Sequence, residues 1–132
     1  MFELKKITKQ YGQTTVLHET TLTVNDGEFF ILVGAGGSGK TTLLKLLNRL
    51  IEPTSGTILR NGNPLHDLNL RSLRLDTGYV LQQIALFPNL TVGENIALVP
   101  SMKHIDKNEI RRRSHLWLEK TGLDPLQSHG LI

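Results

Sequence analysis

Apolar positions change their spacing along the chain, and each change predicts a different kind of element. FELKKITKQYG (2–12) and TTVLHETTLTV (14–24) read as two short β segments, dense in β-branched residues and alternating in parts, with Gly12 between them. Asn25-Asp26-Gly27 is a turn signal that joins TLTV to EFFILV (28–33) in a strand-turn-strand reading. EFFILV is apolar on both alternating faces, which predicts a central strand covered on both sides. From Lys40 to Leu50, Leu43, Leu44, Leu46, Leu47 and Leu50 form an apolar band suited to a helix against a sheet, with Pro53 marking its end. PTSGTILRNGNPL then predicts a turn, a short strand over Thr57 to Arg60 and an Asn61-Gly62 turn, and DTGYVLQQ (76–83) predicts another buried strand. Thr91 to Leu98 carries the capping-box spacing of Thr91 and Glu94. Asp106 and Glu109 repeat that device, and Ile110, Ser114, Trp117 and Thr121 follow at helical spacing before a Gly122 stop. The chain thus begins as β structure, turns α/β near Gly34 and finishes helical, with no internal repeat.

Composition narrows the class without adding chemistry. At 132 residues, 39% hydrophobic and 20% charged, the chain has the size and balance of one soluble globular domain. The absence of cysteine excludes disulfides and thiolate metal ligands and agrees with a reducing cytoplasmic setting. No apolar run approaches the roughly 20 residues needed to cross a bilayer, and Met1-Phe2-Glu3-Leu4 begins no signal peptide, so any membrane role is expected to be peripheral, with no direct insertion. A net charge of +3, from 15 basic and 12 acidic residues dispersed along the chain, makes no basic field for nucleic acid. His18, His66, His104, His115 and His129 have no metal-ligand spacing. Arg111-Arg112-Arg113 reads as the solvated face of a helix whose other side carries Ile110 and Trp117.

The chemistry lies between EFFILV and the leucine band, in Gly34-Ala35-Gly36-Gly37-Ser38-Gly39-Lys40-Thr41-Thr42. Gly34, Gly39, Lys40 and Thr41 satisfy the phosphate-loop pattern GxxxxGK[ST]. Glycines let the backbone wrap closely and turn several N–H groups inward, and the helix starting beside Lys40 adds its positive dipole end. Lys40 offers a compact charge to β- and γ-phosphates, and the Thr41 hydroxyl suits a Mg²⁺ bridging the same oxygens. Such a loop by itself serves ATPases, GTPases and small-molecule kinases alike.

Three further phrases choose among them. EPTSGTILRNG (52–62), YVLQQIALFPNLTVGENI (79–96) and Tyr11-Gly12 ahead of the loop together resemble the ATP-binding subunit of ABC transporters, from about Leu4 to the last residue. QQIALFPNLTVGENIALVP most resembles importer subunits for glycine betaine, carnitine, choline or related osmoprotectants. The resemblance implies an α/β P-loop NTPase fold of the ABC ATPase kind in incomplete form: an N-terminal antiparallel β subdomain (1–30), part of the P-loop core (31–82), and the Q-loop with the start of a helical subdomain (83–132). It makes Tyr11 the aromatic that stacks on adenine, with Val16 beside the ribose or base. Gly34, Gly36, Gly37, Ser38, Gly39, Lys40, Thr41 and Thr42 become the nucleotide-binding loop, with ATP and Mg²⁺ as its ligands. Thr41 and Gln82 become the metal-side residues, Gln82 also orienting the attacking water, and Gln82 is preferred to Gln83 because it follows the Tyr-Val-Leu strand end. Leu86-Phe87-Pro88-Asn89-Leu90 falls where such subunits grip a transmembrane permease. A homodimer in the full-length protein, and a place at the cytoplasmic side of the cell membrane, are implied with it.

Two departures qualify that reading. Ala35 and Gly36 stand where the family commonly has Pro and Ser, so the loop is less preorganised while its Lys and hydroxyl chemistry is kept. The family also continues to a signature LSGGQ, a strand ending in Asp followed by a catalytic Glu, and a switch histidine, none of which occurs in these 132 residues. The expectation is the front part of an ABC ATPase that binds Mg-ATP but does not hydrolyse it alone, and that is marginally stable, pairs with another copy, or belongs to something longer. In the family, the strand before the phosphate loop lies between strands from later in the chain, so EFFILV is expected to lack its sheet neighbours. The competing expectation is a non-catalytic nucleotide-binding or structural fragment of a disrupted or shortened ABC ATPase. A P-loop small-molecule kinase is a third, disfavoured by the Q-loop phrase.

Overall fold

Strand β1 (Phe2–Tyr11) and strand β2 (Thr14–Val24) form an antiparallel hairpin, closed at Gly12, whose φ of 58° suits the turn. The computed structural model describes residues 1–81, 83 and 85–124, which fall into two compact units, Met1–Thr77 and Gly78–Ile132. In the first unit β3 (Ser55–Arg60) pairs antiparallel with the other edge of β1, and the short β4 (Asn63–Pro64) with β3, giving the sheet order β2-β1-β3-β4. The N-terminal ammonium ties this sheet to two of its turns, pairing with Asp26 and donating to Asn61 Oδ1 at 2.8 Å.

One residue out of step makes the core possible. Leu4 and Ile7 are both buried although they lie three apart on one strand. A bulge at Lys6, with φ 51°, shifts the register between them and returns Ile7 to the inner face. The carbonyls of Lys5 and Lys6 then press on Gly56, where φ is 82° and a side chain would overlap them. Around Leu4 and Ile7 the core gathers Leu17, Ile58, Leu65 and Leu73, together with Leu43 and Leu46 of helix α1 (Lys40–Leu47). Helix α2 (Leu70–Leu75) is capped by Asn69, which accepts from the Ser72 N–H at 3.0 Å. Arg49 and Arg74 fasten these helices together: Arg49 donates to the carbonyls of Leu65 and Leu68, both at 3.1 Å, and Arg74 to the carbonyl of Arg49 at 2.6 Å.

The first unit departs from the sequence reading at EFFILV. The Asn25-Asp26-Gly27 turn forms, with the Glu28 N–H donating to the Asn25 carbonyl at 3.2 Å, yet no strand follows it among the described residues. Phe29 and Val33 are 89% and 88% exposed, and only Leu32 packs partly against the core. An extended segment becomes a strand only when another backbone takes up its N–H and C=O groups, and none of the four strands does so here. This agrees with the expectation that the segment lacks sheet neighbours and overturns the one that it is covered on both sides. An open groove of about 650 Å³ runs between it, the sheet and α1, lined by Leu4, Leu22, Phe29, Phe30, Leu43 and Leu44. Helix α1 also stops earlier than its leucine band, at Leu47, because the chain turns through Arg49 at φ 47°, so Leu50 is exposed.

In the second unit the strand expected over DTGYVLQQ is absent at Gly78–Leu81, where Val80 is 96% exposed. Helix α3 (Val92–Met102) starts as expected with a complete capping box: the Thr91 hydroxyl accepts from the Glu94 N–H at 3.2 Å and Glu94 accepts from the Thr91 N–H at 2.8 Å. Helix α4 (Lys107–Lys120) packs on α3 and is capped by Asp106, but its Glu109 does not return the bond. That carboxylate instead accepts from Arg112 at 2.7 and 2.8 Å and from Arg113 at 2.6 Å. The buried stripe of α4 is Ile110, Ser114 and Leu118, while Trp117, expected on the inner side, is exposed under the Lys120 ammonium.

Candidate functional site

The phosphate loop closes on itself through one side chain. Lys40 Nζ donates to the Gly34 carbonyl at 2.7 Å, the Ala35 carbonyl at 2.8 Å and the Ser38 hydroxyl at 3.2 Å, and the Ser38 N–H donates to the Ala35 carbonyl at 3.2 Å. The ammonium therefore sits within the loop, held among the described residues by neutral oxygens only. Gly37 and Gly39 have φ of 79° and 89°, a region that only glycine enters without strain, and they allow the backbone to curl tightly enough for this. Gly34 is constrained by space: a Cβ there would lie 2.8 Å from the Ser38 hydroxyl.

Helix α1 begins at Lys40 with Gly39 as N-cap, no side-chain cap and no acidic residue in its first turn. Its leading N–H groups and positive dipole end are left for an anion. Leu43 and Leu46 bury the opposite side of this helix in the core, so its start is anchored as well as free. Thr41 is exposed beside the loop and Thr42 half-buried, so the hydroxyl best placed for solvent and ions is that of Thr41. An ammonium with neutral partners, an uncapped helix start and an exposed hydroxyl form a donor set that suits a magnesium-bound polyphosphate.

The remaining residues singled out in the sequence fall differently. Val16 reaches the loop through its backbone: a Cβ on Gly39 would stand 2.8 Å from the Val16 carbonyl, so that glycine lets the loop lie on β2. Tyr11 ends β1, pairs with Thr14 two residues before Val16, and is half-exposed, with the Lys9 ammonium 5.0 Å from its ring centre. Gly36 has open space around it. Gln82 lies outside the described residues. Among the described residues no group of acidic and histidine side chains forms a metal cluster, and no helix is long and apolar enough to cross a membrane.

Sequence reasoning missed Asn95. Its side chain accepts from the Phe87 N–H at 2.8 Å and donates to the carbonyls of Phe87, Leu90 and Thr91 at 3.1, 3.2 and 3.0 Å. One amide thus fixes the loop that presents exposed Leu86 and Phe87. The available signal was an asparagine in the first turn after a good N-cap, where helix propensity alone would not place it. Beside it, the backbone N–H and then the hydroxyl of Thr91 hold the Glu94 carboxyl below its ordinary value. The Arg112 and then the Arg113 hydrogen bonds hold Glu109 down to about 2.

A glycine-rich loop opening a helix packed on an antiparallel sheet defines the chain as a P-loop cassette of the α/β class. The chain belongs to the ABC transporter family, whose model matches residues 17–131. It is 43% identical over 129 residues to the osmoprotectant import ATP-binding protein OsmV of Salmonella typhimurium, with 94% of this chain and 34% of the relative covered. It is 36% identical over 126 residues to the glycine betaine/carnitine/choline transport ATP-binding protein OpuCA of Bacillus subtilis, covering 95% and 33%. The chain therefore spans about a third of the length of these relatives. Among solved structures, the dimeric post-hydrolysis state of the ATP-binding cassette MJ0796 bound to ADP and Pi superposes with a TM-score of 0.84 at 31% identity, over 99% of this chain and 61% of that one.

Proposed function

We propose that the chain is the nucleotide-holding part of the ATP-binding subunit of an ABC importer for osmoprotectants such as glycine betaine, carnitine or choline. The observation that carries the reading is the Lys40 ammonium, paired among the described residues with neutral oxygens only, above an uncapped helix start. The similarity to OsmV and OpuCA supports the import class.

In this reading Gly34, Gly36, Gly37, Ser38 and Gly39 offer backbone N–H groups to the phosphates, and Lys40 exchanges the carbonyls of Gly34 and Ala35 for phosphate oxygens. The Thr41 hydroxyl ligates Mg²⁺, with Gln82 as its second protein contact, and Thr42 adds a hydroxyl to the helix start. The ion, when bound, neutralises charge on the β- and γ-oxygens. Tyr11 stacks on the adenine and Val16 borders it. Leu86 to Leu90, fixed by Asn95, faces the permease, and the complete subunit dimerises at the cytoplasmic side of the membrane. The three-way division at residues 1–30, 31–82 and 83–132 is proposed with these roles. Among the described residues no carboxylate follows a strand at the position where the family carries its catalytic Glu, so in this reading these 132 residues hold Mg-ATP without turning it over.

Calorimetric titration with Mg-ATP tests the reading. The wild-type chain is expected to bind, Lys40→Ala to lose about 100-fold or more of the affinity, and both to show background ATPase. The unpaired EFFILV segment favours a second reading, a structural fragment without nucleotide, and absence of binding by the wild-type chain would establish it over the first. Lys40-dependent turnover would overturn the assignment of hydrolysis to residues this chain lacks.

A further inference from the structure

The Tyr11 ring is not presented alone. Lys9 Nζ stands 5.0 Å from its centre and at the same time donates to the Glu52 carbonyl at 2.8 Å. That carbonyl belongs to the turn following the phosphate-loop helix, and the turn is itself tied down. Arg49 bonds the Glu52 carboxylate at 3.1 Å, the Thr54 N–H donates to the Thr8 carbonyl at 2.9 Å, and the Gln10 N–H donates to the Thr54 hydroxyl at 2.9 Å. The ammonium is therefore a fixed charge on one face of a ring that is otherwise half-exposed at the strand end.

We propose that Lys9 is a positioning residue for the nucleotide base, its ammonium clamping the plane of Tyr11 so that a purine stacks on the ring's opposite face. The inference rests on the nucleotide-binding reading above and adds to it a residue outside the phosphate loop. A cation over an aromatic face is worth little at an exposed site, so the effect is expected to be modest and confined to the base. The bond from Lys9 to the Glu52 carbonyl also ties the side chain beside the Tyr11 ring to the chain that follows α1.

The test compares two magnesium-bound probes, ATP and inorganic tripolyphosphate, which share phosphates and differ in the base. Titrations of the wild-type chain, Lys9→Met, Lys9→Arg, Tyr11→Ala and the Lys9→Met/Tyr11→Ala pair are read by calorimetry, with circular dichroism confirming the fold. Lys9→Met, which keeps the aliphatic stem, is expected to weaken ATP binding about two- to five-fold and leave tripolyphosphate unchanged. Lys9→Arg is expected to stay near wild type, and Lys9→Met to cost nothing further once Tyr11 is alanine. Equal weakening of both probes, an undiminished Lys9→Met effect in the Tyr11→Ala background, or no effect on ATP would each overturn the proposal while leaving the phosphate-loop reading intact. A wild-type chain that binds neither probe would overturn both.

Discussion

Strand β2 and the segment Glu28–Val33 are neighbours in the chain, separated by one turn, and both are rich in β-forming residues. The first is hydrogen-bonded along its length, from Thr14 opposite Tyr11 to Val24 opposite Phe2. The second lies beside a groove with Phe29 and Val33 almost fully exposed. The difference lies in where each finds a partner. Strand β2 is two residues from β1 and closes its ladder through a short loop, at little entropic cost. Residues 28–33 are the more apolar of the two, but among the described residues no strand takes up their backbone N–H and C=O groups. Apolar content decides what a segment gains from burial, whereas a partner decides whether it is buried at all.

The sharpest way to break this comparison is to remove side chains on either side of it. Ile7→Ala, in the fully buried register set by the bulge, is expected to destabilise the chain by about 2–5 kcal/mol in urea unfolding. Phe29→Ala and Val33→Ala are expected to stay within about 0.5 kcal/mol of wild type, as at exposed positions generally. A cost for Val33→Ala comparable with that of Ile7→Ala would mean that the segment is covered in solution, by another copy if the cost grows with protein concentration.

A smaller effect sharpens the role of the bulge. Gly56→Ala places a methyl group against the Lys5 and Lys6 carbonyls at a positive φ, so it is expected to cost about 1–3 kcal/mol, measured in the same unfolding experiment. A neutral result would show that the bulge does not hold Ile7 inward.

The smallest effect concerns an element whose partners are all within one turn. Glu109 is held from 4.5 down to about 2 in the folded chain by Arg112 and Arg113, both on its own helix. A depressed folded value contributes stability that is present above about 4.5 and lost as pH falls through about 2. Glu109→Gln is expected to flatten the acid dependence of helicity in that window, read by circular dichroism, with no change near neutrality beyond a loss of ion pairing. An unchanged acid profile would show that these surface pairs contribute nothing measurable.

The same distinction explains how far the sequence could be read. Helices α3 and α4 were legible at their starts because Thr91, Glu94 and Asp106 cap within three residues of themselves. Strands β1, β2 and β3 were legible because their turns carry Gly12 and Asn61-Gly62. The phosphate loop was legible for the same reason, since its glycines, Lys40 and the start of α1 are contiguous. The bulge at Lys6, the Arg49 and Arg74 clasps and the hold of Asn95 on Phe87 were not, because each depends on which carbonyl lies across a gap in space.

From the residues themselves came the loop chemistry, the caps, the hairpin and the resemblance to the ABC family, all of which rest on short-range spacing and on backbone preferences that a few side chains dictate. The tertiary structure decided the rest: that Ile7 turns inward, that Lys9 sits over Tyr11 while bound to the turn after α1, and that Glu28–Val33 joins no strand among the described residues. These outcomes depend on hydrogen-bond partners distant along the chain, and a partner's position is a property of the packed fold that no local pattern contains.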